Sequence, residues 1–274
     1  MKKKFWKLLA LVIAVVLIAY LGFFANSMLG NPISKWLASN AADTYLLEQY
    51  PDTDYFVDHI NFSFKDSCYH AFVESPSSVD TYFSVCINML GQVRYDTYDS
   101  VANGWNTARR LDDEYRELTD TIFETPLFPY QSNIAYGRLE INRKEYIDDP
   151  DIPDIPDYTL VQDELELDKV YDIRELGAQA GHLIVYVDTD TISFENAARI
   201  MLEVKEMFDG AGIPFYAMDF CLQYPLPEEG PRPDGDIRVE HFLYADIYEE
   251  GLAQRLEEAH NELQAYYEEL DGQK

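Results

Sequence analysis

The chain has 274 residues, with 50 acidic against 21 basic side chains and a formal net charge of −29. That balance excludes nucleic acid and a basic patch for anionic lipid. Three cysteines, with no Cys-x-x-Cys and no His/Cys cluster in the sequence, exclude a disulfide scaffold and argue against a structural zinc site.

The chain opens on Met1-Lys2-Lys3-Lys4, and Leu8–Ala25 then runs for 18 residues without a charge. At about 1.5 Å per residue such a helix spans roughly 27 Å, close to the hydrocarbon thickness of a bilayer. A cleaved signal peptide and a retained anchor compete for this stretch. The run is longer than the usual apolar core of a signal peptide, and cleavage after Ala25 puts bulky Phe23 at position −3. Phe5-Trp6 and Tyr20, Phe23 and Phe24 suit the two interfacial belts. The expectation is therefore a single-pass anchor over residues 5–25. Four lysines precede its charge-free run Leu8–Ala25 and only Lys35 follows closely, which keeps the N-terminus cytoplasmic and sends the body out of the cell. Those four lysines are the only charges in residues 1–25, so the body carries 17 bases against 50 acids, a net of −33.

Asn31-Pro32 reads as a helix start, with Asn as cap and Pro at the first helical position. The helix is expected to reach Gln49, with Ile33, Trp36, Leu37, Ala41, Leu46 and Leu47 on its apolar side. An antiparallel meander follows: Asp54–Phe64, Cys68–Glu74, Thr81–Met89 and Val93–Thr97. Matching the apolar sets Tyr69, Ala71, Val73 and Phe83, Val85, Ile87 pairs Ala71 with Phe83 and sets Cys68 directly across from Cys86. The neighbours Asp58 and His59 are expected on opposite faces of their strand, and these two with His70 are expected as solvated polar groups. A helix over Asn103–Glu124 carries Trp105, Ala108, Leu111, Tyr115, Leu118 and Ile122 at spacings of three and four. It is expected to close an α-β4-α domain over residues 30–126.

Residues 127–157 hold a strand at Ile134–Ile141 and the Pro/Asp-rich run Asp148–Asp157, read as a linker or a long surface loop. Beyond it the expected order is a helix at Asp168–Gln179, a buried strand at His182–Asp188, a helix at Phe194–Phe208 capped by Ser193, and a strand at Ile213–Tyr224. Then come a loop at Pro225–Gly235, a strand at Asp236–Ala245 and a helix at Tyr248–Leu270. The fold class is α+β, the second domain (158–274) being a two-layer sandwich of ferredoxin-like type. In the last helix Leu252, Leu256, Ala259, Leu263, Tyr266 and Leu270 form a short seam expected to pack on its own sheet.

Gly30-Asn31-Pro32-Ile33-Ser34-Lys35, Tyr50-Pro51-Asp52-Thr53-Asp54, Ser75-Pro76-Ser77-Ser78-Val79-Asp80-Thr81 and Arg109-Arg110-Leu111-Asp112-Asp113-Glu114-Tyr115 resemble the YfjL-like membrane-anchored proteins of Gram-positive bacteria. Gly212-Ile213-Pro214-Phe215 and the strands around it do so as well. The resemblance implies an anchor, an N-terminal domain and a C-terminal domain, and assigns no activity to any residue.

No catalytic residue, cofactor or metal site is expected, because phosphate loops, nucleophile elbows and His-Glu-x-x-His are missing from the sequence. The functional expectation is a non-enzymatic binding or regulatory module of the cell envelope, with an envelope protein or a wall polymer as partner. The alternative is an envelope hydrolase using carboxylates or a divalent cation near Asp188 and Asp190, at the end of a buried strand.

Overall fold

The computed structural model describes residues 2–152 and 155–272. The chain is a mixed α+β protein that divides into two compact units between Asn106 and Thr107.

In the first unit, helix α1 spans Lys2–Leu29. Its Lys4–Phe24 stretch has a mean hydropathy of 2.6 over 21 residues and no buried part, so it is long and apolar enough to cross a membrane. The helix stops at Gly30, whose φ of 70° suits only glycine without strain. A Cβ there would lie 2.4 Å from the Tyr69 hydroxyl. Asn31 then caps α2 (Pro32–Gln49), accepting the Ser34 N–H at 2.8 Å.

The face that α2 buries is not the one its large apolar residues mark. Ser34, Ala38, Ala42 and Leu46 are buried, while Ile33, Trp36 and Leu47 are exposed. This i, i+4 stripe of mostly small side chains lets the helix lie close to the sheet.

That sheet is an antiparallel meander of β1 (Phe56–Ser63), β2 (Cys68–Ser75), β3 (Ser78–Asn88) and β4 (Val93–Asp96). Tyr69, Ala71 and Val73 meet Phe83, Val85 and Ile87 in the core, as the alternation implies. Two details differ from expectation. Ala71 pairs with Val85, so His70 faces Cys86 and Cys68 faces Asn88. Parity is kept, but the register moves by two residues, because Val79–Thr81 are looped out opposite the Glu74–Ser75 step. And Asp58 does meet His59, Oδ2 to Nδ1 at 2.7 Å, because an irregularity between Val57 and His59 breaks the alternation.

A short helix α3 (Asp99–Ala102) leads into α4 (Trp105–Phe123). The expected α-β4-α closure does not form. Leu111, Tyr115 and Ile122 of α4 are buried with residues of the second unit. Amphipathic spacing shows that one face of a helix is covered, and says nothing of which sheet covers it.

The second unit contains β5 (Ile134–Leu139), β6 (Ile141–Asn142), α5 (Lys144–Ile147), β7 (Leu160–Val161), α6 (Ile173–Ala180), β8 (Gly181–Asp188), α7 (Phe194–Ala211), β9 (Ala217–Gln223), β10 (Ile237–Leu243) and α8 (Leu252–Gly272). Strands β6 and β7 pair in parallel, so the described parts of the Pro/Asp-rich run, 148–152 and 155–157, lie within this unit. Pro153 and Asp154 lie outside the described residues. The main sheet has the order β10-β9-β8-β5. Strands β8 and β9 are parallel neighbours, and the outer pairs are antiparallel. A ferredoxin-like order would insert a strand between β8 and β9; α7 instead returns the chain to the adjacent position. Ser193 caps α7 through the Asn196 N–H, and Gly212 ends it in the left-handed conformation.

Candidate functional site

The sheet of the second unit has two different faces. Leu183, Val185 and Val187 of β8 and Met218, Phe220 and Leu222 of β9 join α7 and the start of α8 in the larger core. Alternation turns His182 and Asp219 to the other face. On β10 the pairing moves from Val239–Phe220 to Phe242–Met218, so Glu240 and His241 together oppose Asp219. This is a β-bulge, and His241 takes a φ of 51° within it. Bulges commonly re-aim a side chain beside a site, and non-glycine residues in this region mark a backbone held by its surroundings. Here the hold is the His241 N–H, which donates to Asp219 Oδ1 at 2.8 Å.

His182 is wholly buried. Its Nδ1 lies 2.7 Å from Glu140 Oε1 and its Nε2 lies 2.8 Å from Asp219 Oδ1. The second approach is an ion-pair contact lying off the ring N–H direction. Arg138 Nη2 reaches the same Glu140 oxygen at 2.5 Å. Two carboxylates therefore face an imidazole and a guanidinium. Burial pushes the His182 pKa down, but Asp219 and Glu140 outweigh it and hold it above the ordinary 6.5. Burial likewise opposes charge on Glu140 and Asp219, yet His182 and its neighbours keep both below the usual carboxylate range. Both ring nitrogens face carboxylates, which favours the charged form of His182.

Tyr158 joins this network to the surface. Its hydroxyl lies 2.8 Å from His241 Nδ1 and 3.3 Å from His182 Nδ1. Burial, then Glu140 and Asp219, raise its pKa. Beyond it opens a pocket of about 560 Å³ lined by Pro156, Asp157, Tyr158, Tyr216, Glu240, His241, Leu263, Tyr266 and Tyr267, among others. Tyr158 and Tyr216 rings are 4.6 Å apart, and the Tyr267 hydroxyl donates to the Glu240 carboxylate at 3.2 Å. The pocket thus combines aromatic faces with two carboxylates, and its described lining includes no Ser, Thr, Cys or Lys.

His182, Asp219 and His241 also place donor atoms within 4.8 Å of one another. Both His182 nitrogens already lie within 2.8 Å of carboxylate oxygens, so this trio reads as an ion-pair network. Asp188 and Asp190 do not line the pocket. Asp188 accepts from Arg232 at 2.8 Å and from Gln223 at 3.1 Å, and Asp190 is exposed. The seam of α8 splits in role: Leu252 and Leu256 enter its own core, while Leu263 and Tyr266 line the pocket.

The sequence held a signal for the network that composition hides: Asp219 interrupts the otherwise apolar stretch of β9, and His182 begins that of β8. A lone charge in such a run needs a buried partner.

A family model described as YfjL-like, N-terminal domain matches residues 3–97, and one described as YfjL-like C-terminal domain matches residues 114–257. No curated protein and no solved structure matches the chain.

Proposed function

The chain belongs to the YfjL-like family, and from that premise we propose that it is a membrane-tethered binding module whose second unit takes a cationic, amine-bearing group. The observation that carries this reading is the pocket lining: four tyrosines around the carboxylates of Glu240 and Asp157. Aromatic faces attract ammonium groups, and a carboxylate beside them adds direct charge pairing. The surrounding surface of net negative charge draws cations toward it.

A binding role fits better than hydrolysis. His182, the most buried histidine, is held between two carboxylates and does not line the pocket. The carboxylates once considered for hydrolysis are apart from the pocket, and Asp188 is neutralised by Arg232. The tether in this proposal is α1, crossing the membrane once with its lysines inside and the two units outside, where the amine would belong to a component of the envelope.

Calorimetric titration of the full chain in detergent with an alkylammonium series, and with the matching carboxylates, tests the ligand class. Ammonium binding with no carboxylate binding is expected. Glu240→Gln should weaken it about fivefold, the effect of one partly exposed charge pair of ~1 kcal/mol. Equal binding of both series, or no loss in Glu240→Gln, would overturn the reading.

A further inference from the structure

The outer face of the first sheet carries a second cluster that has no part in the pocket. Cys68 and His70 are two apart on β2 and so share a face. Cys86 of β3 sits directly across from His70. Cys68, two residues along from His70 and paired with Asn88, is the diagonal neighbour of Cys86. Asp66, in the turn before β2, reaches over the same face: its Oδ2 is 2.7 Å from His70 Nε2, and its Oδ1 accepts the Cys68 N–H at 3.2 Å. The donor atoms of Asp66, His70 and Cys86 all lie within 4.8 Å of one another. Both cysteines are fully buried, and the His70 and Asp66 side chains are 20% and 37% exposed, which leaves one open side.

We propose that Asp66, His70 and Cys86 form a binding site for a thiophilic divalent cation, Zn²⁺ by preference. One sulfur, one imidazole nitrogen and one carboxylate oxygen make a three-donor set that leaves the fourth position of a tetrahedral zinc for solvent, and sulfur excludes magnesium and calcium. Ligands about 2.1 Å from one ion stand about 3.4 Å apart. The Asp66–His70 pair therefore opens by less than ~1 Å on binding, a movement the partly exposed turn at Asp66 allows. The spacing of the donors in the chain hides the site, because Cys86 joins the others only through the β2–β3 register.

The test is titration of the reduced full chain in detergent with Co²⁺ alone, followed by Zn²⁺. The expected result is one Co²⁺ per chain, a sulfur-to-cobalt charge-transfer band and the strong visible bands of a tetrahedral ion, all removed by Zn²⁺. Cys221→Ser, in the other unit, should keep the band. Cys86→Ser should lose it. His70→Ala changes a partly exposed side chain, so it separates ligand loss from misfolding; it should lower Zn²⁺ affinity about tenfold or more with unchanged circular dichroism. No charge-transfer band in the natural chain, or a band that persists unchanged in Cys86→Ser, overturns the site.

Discussion

The Tyr69 hydroxyl clasps both backbone polar groups of Asn31, accepting its N–H at 2.7 Å and donating to its carbonyl at 2.8 Å. Tyr69 is 2% exposed and sits on β2 in the core of the first unit. Asn31 is the residue between the apolar helix and α2. One side chain thus fixes the join of the helix to the folded body. Tyr69→Phe should cost about 1–3 kcal/mol, since it leaves the half-buried Asn31 N–H unmatched, while the Asn31 carbonyl keeps the Lys35 N–H at 3.0 Å. Denaturant unfolding measures the loss, and faster amide exchange at Asn31 localises it. Gly30→Ala should be at least as damaging, because its Cβ falls 2.4 Å from a hydroxyl that is held in place.

The pH dependence of stability follows from His182. Its folded pKa is raised above 6.5, so its contribution is complete below that value and is lost as pH rises through the raised folded pKa. Glu140 and Asp219 have folded values below 4.5 and 3.8. Their contribution is present above those values and is lost as pH falls through the depressed ones. Unfolding free energy measured across this range should decline at both ends. His182→Gln should remove the alkaline decline and cost about 3–5 kcal/mol, because two buried carboxylates lose their partner. An alkaline limb unchanged in His182→Gln would contradict this.

Membrane orientation has a direct readout. Protease added to intact, wall-stripped cells should remove a tag fused after Lys274 and spare one fused before Met1. A protected C-terminal tag would reverse the topology proposed from the lysine bias, and loss of the N-terminal tag from the mature protein would show cleavage.

Limited proteolysis should cut first in the Asp148–Asp157 run or in Pro225–Gly235, the latter a mostly exposed loop with no helix or strand. First cuts inside α7, whose Ala197, Met201, Val204 and Phe208 are fully buried, would contradict the division into stable elements and loops.

Thiol counting tests the revised register. Cys68 lies across from Asn88, and all three cysteines are free and buried. Purified, unreduced protein should give three reactive thiols after denaturation. Cys221 should be slow to react in the native state, since burial raises its thiol pKa to about 11. A count of one would mean a Cys68–Cys86 bridge.

Local signals were legible where a single residue type decides the backbone. Asn31, Ser193 and Gly212 cap as their chemistry requires, and the four-strand meander follows the alternation of its apolar residues. What escaped depends on which segments meet. The apolar face of α4 carries no mark of the sheet it joins. The two-residue shift at Val79–Thr81 moves Cys68 away from Cys86 and brings His70 to it, a choice that parity alone leaves open. The pocket network draws on Glu140, Tyr158, His182, Asp219 and His241, five positions spread over about a hundred residues, and only Asp219 and His182 stand out against their apolar surroundings.

The irregularities at Asp58 on β1 and at Glu240–His241 on β10 fall on the outermost strand at one margin of each sheet. A foreign strand adding to such a margin needs an evenly spaced row of amides and carbonyls. At β10 it would find the His241 amide already turned inward to Asp219, and at either margin an acidic side chain at the kink. Both breaks therefore act as guards against edge-to-edge fusion, so many copies can crowd together without their sheets seeding a shared, aggregated one.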